Sequence, residues 1–276
     1  MLKKFIVIII IAAMLQGCAE KKPHLTREEL REKYIAEQHP CPYKKIERLT
    51  LDEALKVYEY YKRNKKNLQL IMTIERIMAL SADHALLEPM LREVGDLYYL
   101  QEDYKKAEEH YASYVQLYPG SAHIDYVQKR LIEASFNQKA NAQRDQKKTK
   151  DTIQLARNFL ADFPIKNQYR ARVQEILEEC YFVMMESELN RVLFYINRHN
   201  TISNQQKALE AGWQRLADLN RDILTNIQDQ CIHVMQEKIR NMLNQPIEHR
   251  TIENLEKLTE PLQLYIREKK GIWYWL

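Results

Sequence analysis

The most reactive side chain near the start of this sequence is a cysteine. Cys18 closes the stretch Leu15-Gln16-Gly17-Cys18 and is followed at once by "AEKK". A cysteine thiolate is a nucleophile, so this position suits modification at sulfur. The apolar run before it, Phe5 to Leu15, is too short to span a bilayer, which takes about twenty apolar residues. Lys3 and Lys4 precede that run. A basic start, a short apolar core and a small-residue exit form the layout of a secretory signal peptide over residues 1–17.

The exit resembles the lipobox of bacterial lipoproteins. The resemblance implies a diacylglycerol on the Cys18 sulfur, cleavage between Gly17 and Cys18, and acylation of the new amino group. Gly17 is small, which lets a peptidase close on the backbone. At about 0.8 kcal/mol per buried methylene, two or three acyl chains hold a protein firmly on a membrane. Ala19, not aspartate, follows Cys18. In well-studied enterobacterial lipoproteins an aspartate there retains the protein in the inner membrane. The resemblance therefore implies an outer-membrane location facing the periplasm. The covalent lipid on Cys18 is the one non-protein group expected, with no cofactor and no metal.

Nothing else in the chain has the spacing of a catalytic site. HExxH, G-x-S-x-G, P-loop and S-x-x-K patterns are absent, so no enzyme is expected. His39 and Cys41 stand two apart, but no second pair completes a metal site; "HPCPY" reads as a kinked linker. Cys180 and Cys231 fall on helical apolar faces, where buried inert thiols are expected. With Cys41 they make an odd set, which allows at most one disulfide. The formal charge of +4 includes Lys3 and Lys4. A mature chain starting at Cys18 would lose half of that excess, so charge gives no argument for nucleic acid.

The elements that position the rest are helical. Only 5 glycines and 8 prolines occur in 276 residues, too few for tight-turned sheets or phosphate loops. The polar, basic stretch Lys21 to Pro42 reads as a tether and allows a short helix around Arg27 to Gln38. "LTLDEALKVYEYYKRN" then sets Leu51, Leu55, Tyr58 and Tyr61 at three- and four-residue steps, with Thr50 or Asp52 as N-cap. A second helix is predicted over Leu68 to Leu80.

Glu88 to Ser121 spans 34 residues. Counted from Glu88, Leu91, Val94, Gly95, Tyr98, Ala107, Tyr111 and Pro119 fall at 4, 7, 8, 11, 20, 24 and 32, the small and large positions of a tetratricopeptide (TPR) repeat. Gly95 and Ala107 are small where the paired helices cross, Tyr98 and Tyr111 fill the space beside them, and Pro119 ends the second helix. The upstream hairpin, Ala54 to Leu87, keeps the length but carries Tyr61 where the glycine should lie. Downstream, "HIDYVQKRLIEASFNQ" opens the next repeat and "KDTIQLARNFLADFP" closes it after a polar insert, "KANAQRDQKKTK", read as a solvated loop. A further hairpin begins with "QYRARVQEILEECYFVMMESELN", ending near Asn190. The fold class is all-α: a tetratricopeptide-like helical-hairpin superhelix with a C-terminal helical extension.

Positions 5, 9 and 12 of a TPR first helix face the concave surface. Here they are Arg92, Asp96 and Tyr99, then Tyr126, Arg130 and Glu133. Basic, acidic and aromatic groups together make a candidate groove for an extended polypeptide; a merely solvated face is the competing reading.

The lipobox, the TPR hairpins, "YPGSAHIDYV" at Tyr118 to Val127, the insert and "FPIKNQYRARV" at Phe163 to Val173 together resemble the BamD (ComL-like) lipoproteins. The resemblance covers Leu49 to Arg198. It implies a scaffold of the outer-membrane β-barrel assembly machinery, with a BamA-like outer-membrane protein and unfolded β-barrel substrates as partners. The alternative is another cell-envelope TPR lipoprotein adaptor, serving peptidoglycan or division machinery. Beyond Asn200 the family's last repeat does not align. "QQKALEAGWQRLADLNRDILTNIQDQCIHVMQEKIRNML" reads instead as one long amphipathic helix or a pair, with Leu209, Trp213, Leu216, Ile223, Ile227, Cys231 and Val234 as one stripe. A last helix over Thr251 to Lys269 is predicted to end at Gly271 as a C-cap glycine. The tail Ile272 to Leu276 then either docks on the C-terminal helices or meets a partner or the membrane interface.

The expected organisation is a signal peptide (1–17), a lipidated tether (18–48), a TPR-like repeat domain (49–198) and a C-terminal amphipathic helical region (199–276). Replacing Cys18 by serine is expected to leave an uncleaved precursor that incorporates no radiolabelled palmitate in growing cells. Unchanged labelling would refute the lipobox.

Overall fold

The structure is a computed structural model, described for residues 39–139, 145–199 and 205–273. The lipobox residues Gly17 and Cys18, the helix around Arg27 to Gln38 and the end of the aromatic tail lie outside the described residues. The described residues hold ten α-helices and no strand, an all-α, TPR-like architecture. None of these helices is long and apolar enough to cross a membrane. The chain divides into two compact units, one up to Leu80 and one from Ser81 onward.

In the first unit, α1 (Leu51–Arg63) pairs with α2 (Asn67–Leu80). Thr50 is the N-cap of α1 and forms a capping box with Glu53, whose carboxylate accepts the Thr50 backbone N–H at 2.9 Å. Such a box satisfies donors that no helical carbonyl reaches. Ala54, Val57, Tyr58 and Tyr61 of α1 and Leu70, Ile71, Ile74 and Ile77 of α2 are buried, the three- and four-residue spacing of an amphipathic pair. Arg76 ties the preceding turn down by donating twice to the Leu49 carbonyl, at 3.1 and 2.9 Å. His39 sits against Tyr60 and Tyr61, with its Nε2 2.8 Å from the Tyr61 hydroxyl and its Nδ1 accepting the Cys41 N–H at 3.0 Å. Both nitrogens of the ring are thus engaged by the fold at the start of "HPCPY".

The second unit begins with α3 (His84–Leu100) and α4 (Tyr104–Leu117). Their crossing is close: a Cβ built on Gly95 would lie 2.7 Å from Cε1 and 2.9 Å from Cδ1 of Tyr111. Tyr111 and Ala107 are fully buried. The tyrosine ring fills the space that the missing side chain leaves. Asp103 caps α4 by accepting the Lys106 N–H at 3.2 Å. The Glu88 carboxylate accepts from Tyr114 at 2.8 Å and from Ser121, and these two hydroxyls hold its pKa below the usual range.

Next come α5 (Ile124–Asn137), α6 (Lys147–Asp162), α7 (Arg170–His199), α8 (Gln205–Asp222), α9 (Gln230–Leu243) and α10 (Ile252–Trp273). Each packs on the one before it, and α7 also meets α5 and α10. One continuous core runs from Ile132 through Phe159, Ile176, Met185 and Leu216 to Leu255 and Ile266.

The structure corrects five expectations. The hairpin beginning near Gln168 is a single helix, α7, of 30 residues, about 45 Å long at 1.5 Å per residue. Its buried positions continue through Leu189, Val192 and Ile196, so no polar break stops it near Asn190. The insert is only in part a solvated loop. Gln146 and Thr149 are buried and bonded to each other at 2.9 Å, and α6 already starts at Lys147. Two of the insert's lysines also find carboxylates, Lys139 with Glu179 at 3.3 Å and Lys148 with Glu108. The C-terminal stripe is broken between α8 and α9. Asp229 caps a new helix by accepting the Cys231 N–H at 2.8 Å, which resets the phase. Ile232 and Ile239 are buried while Val234 is exposed. Cys231 is therefore exposed, whereas Cys180 is buried and burial pushes its thiol up to about 12. Finally, Gly271 lies inside α10 without positive φ, so it is no C-cap.

Gly95→Leu is expected to lower stability by roughly 1–3 kcal/mol or more through overpacking against Tyr111, read as a fall in the thermal midpoint of the helical circular-dichroism signal. An unchanged midpoint would contradict the crossing described above.

Candidate inner-face site

The inner face is built from α3, α4 and α5. Asp96 and Tyr99 share one side of α3 by their three-residue spacing, as Tyr126, Arg130 and Glu133 do on α5. The closeness of the Gly95 crossing brings Tyr111 of α4 in between. Its hydroxyl donates to Asp96 at 2.6 Å, and the Tyr126 hydroxyl donates to the same oxygen at 2.9 Å. Burial first, and then the Asp96 charge, raise the Tyr111 pKa far above its ordinary value. The phenol therefore stays a donor. Arg130 lies 3.8 Å from Asp96, donates to the Tyr126 hydroxyl at 3.0 Å and reaches Glu133 at 3.3 Å.

The Arg130 guanidinium also lies over two rings, 4.5 Å from the Tyr99 centroid and 5.5 Å from that of Tyr126, within range of a cation–π attraction. Glu133 is buried, and Lys129 at 3.0 Å and Arg172 of α7 at 3.8 Å complete its charge balance. Asn137 donates to the Tyr99 hydroxyl at 3.1 Å. Burial raises the pKa of both Tyr99 and Tyr126, so neither is a base near neutrality.

Five of the six sequence-selected residues thus come together: Asp96, Tyr99, Tyr126, Arg130 and Glu133. Arg92 stands apart, beside Glu88 and Tyr114, whose ionisation its charge favours. The sequence reading did not select Lys129, Tyr169 or Arg172. Tyr169 stacks edgewise on Tyr126 at 6.1 Å, and Lys129 lies 5.5 Å from its ring. The one signal for Tyr169 and Arg172 was "QYRARV", which places an aromatic and two basic residues at the start of α7. The arrangement offers rings, a guanidinium and hydroxyls to a ligand. Among the described residues no group of three His, Cys, Asp or Glu could hold a metal ion.

The fold is a TPR-like stack of helical hairpins that carries a polar, aromatic face on α3 to α5. Residues 96–210 are similar to the YfiO family, described as outer membrane lipoprotein. The matched stretch starts at Asp96 and takes in α4 to α7 and the beginning of α8, so it contains the whole Asp96–Arg130–Glu133 network. No curated protein matches the chain.

Asp96→Ala would leave the buried Tyr111 hydroxyl without an acceptor. It is expected to cost about 1–3 kcal/mol, whereas Asp96→Ala in a Tyr111→Phe background should cost clearly less. A double-mutant cycle of chemical-denaturation midpoints measures this, and strict additivity would show that the two groups do not interact.

Proposed function

We propose that this protein is a lipid-anchored TPR scaffold of the outer-membrane β-barrel assembly machinery. In this reading Cys18 carries the lipid, the chain faces the periplasm, and it acts by binding rather than by catalysis. It pairs with a BamA-like outer-membrane protein and receives unfolded β-barrel polypeptides on the inner face of α3 to α5. The observation that carries the reading is the similarity of residues 96–210 to an outer membrane lipoprotein family, on an all-α repeat fold.

The inner face supports the choice of ligand. Tyr99, Tyr126 and Arg130 present rings and a guanidinium held in place by Asp96 and Glu133. Preorganised side chains of this kind lose little freedom when an extended chain docks on them. Aromatic residues and arginine are also the types that dominate binding energy at interfaces.

Two measurements test the proposal. The native, membrane-extracted protein should co-purify with a BamA-like barrel protein; recovery of peptidoglycan or division proteins instead would favour the adaptor alternative. Tyr99→Ala combined with Tyr126→Phe removes one ring and one hydroxyl while keeping the second ring in place. It should reduce photo-crosslinking to unfolded barrel peptides several-fold, at about 1–3 kcal/mol per lost anchor. Equal crosslinking would leave the inner face as a solvated surface.

A further inference from the structure

A concavity lies away from the inner-face network, between α6 and α8 and floored by α7. Its volume is about 430 Å3, within the range of small-molecule sites. Helical spacing aims its walls: Lys150, Ile153 and Arg157 on α6, Tyr181, Met184 and Glu188 on α7, and Arg215, Asp218 and Asp222 on α8. All are steps of three or four residues, hence one face of each helix.

The charges in it do not balance. Glu188 pairs with Arg191 at 2.7 Å, and Asp218 and Asp222 pair with Arg221 at 3.0 and 2.7 Å. Three carboxylates thus face five cations, Lys150, Arg157, Arg191, Arg215 and Arg221, an excess of two positive charges. Lys150, Arg157 and Arg215 also line it, and none of them forms an ion pair among the described residues. Arg157 donates to a neutral amide oxygen, that of Asn226, at 2.8 Å.

One buried polar atom in the groove, Glu188 Oε2, has no partner, and the Tyr181 hydroxyl meets only the Arg157 guanidinium. Tyr181 is only 4% exposed, and the Arg157 guanidinium lies 5.4 Å from its ring centroid. Buried polar groups are almost always bonded, so the orphan calls for an explanation. Burial raises the Tyr181 pKa, which leaves the hydroxyl protonated and able to donate or accept. Glu188 Oε2 can only accept from a ligand's donor when ionised. Ile153, Met184 and Ile223 add an apolar patch.

We propose that this groove binds an acidic sugar, one bearing a carboxylate or a phosphate. The acid group meets Lys150, Arg157 and Arg215, whose guanidinium forks match a planar carboxylate or a phosphate. Ring hydroxyls donate to Glu188 Oε2 and bond with Tyr181, and the C–H face of the ring rests on Met184 and Ile153. A bare anion would leave Glu188 Oε2 without a donor. A zwitterion would leave the excess positive charge uncompensated, and a neutral sugar would do the same. Nothing in this proposal requires the assembly function put forward above, because the groove shares no lining residue with the inner face.

The test is titration calorimetry on the purified full chain at low salt, with glucuronate, glucose 6-phosphate, glucose and inorganic phosphate as probes. At least one acidic sugar should bind, and which of the two binds tighter tells a carboxylated from a phosphorylated ligand. Glucose should bind at least about tenfold more weakly, and inorganic phosphate likewise, from the loss of charge-assisted or hydroxyl bonds. Arg215→Gln should weaken the acidic sugar about tenfold, and Tyr181→Phe about threefold to tenfold. Two results would overturn the proposal: no binding of either acidic sugar, or phosphate binding as tightly as glucose 6-phosphate.

Discussion

The second unit is organised by one steric constraint, the absence of a side chain at Gly95. Tyr111 occupies that space so closely that even a methyl group there would collide with its ring. Interiors pack at crystal-like density, so a contact of this kind leaves no slack. The consequence reaches beyond packing. With its ring held at the crossing, the Tyr111 hydroxyl arrives at Asp96, and Asp96 in turn draws in Tyr126 and Arg130 of the next hairpin. A glycine on α3 therefore sets the position of polar groups on α5, and a packing rule becomes the geometry of the inner face.

The α3–α5 face and the groove over α7 use the same residue types in opposite ways. On the inner face the charges are closed on themselves: Asp96 and Glu133 are each shared by several donors. The side chains are thereby fixed, and what remains presented is shape and aromatic surface. In the groove over α7 five cations face three carboxylates, and one buried polar atom, Glu188 Oε2, is left without a partner. Paired polar networks give rigidity, while unpaired buried groups carry a cost that a ligand can relieve. The difference comes from which helices face each other, since both surfaces are lined by arginine, tyrosine and glutamate.

The C-terminal helices are held by α7 more than by their own sequence. Trp213, Leu216 and Leu219 of α8 and Leu255, Leu262 and Ile266 of α10 enter the same core as Ile176 and Met185. A Cβ on Gly212 would meet a Leu255 methyl at 2.9 Å, a second close approach that echoes Gly95 without any repeat signature around it. α7 is long enough to serve the repeat hairpins with one end and the C-terminal helices with the other.

The sequence by itself determined the class of the fold, because glycine scarcity and three- and four-residue apolar steps are local properties of a chain. It determined the Gly95–Tyr111 crossing as well, since a 34-residue repeat pattern encodes that contact in the spacing of seven positions. Positions 5, 9 and 12 of the TPR first helix also selected Asp96, Tyr99, Tyr126, Arg130 and Glu133, which come together, along with Arg92, which stands apart. What the sequence could not specify was pairing over distance. That Asp96 would be saturated by two tyrosines depended on α4 and α5 meeting at that point. That Arg172 and Tyr169 would join the cluster depended on α7 packing back on α5. Periodicity also hides phase breaks, so the stripe ending in Cys231 and Val234 dissolved once Asp229 capped a fresh helix and turned both residues outward. Glycine at a helix end carries no signature separating a cap from a continuing helix, and only the backbone of α10 decided the case of Gly271. The groove over α7 was invisible for the same reason: its walls lie up to seventy residues apart in the chain, and only the fold brings their charges face to face.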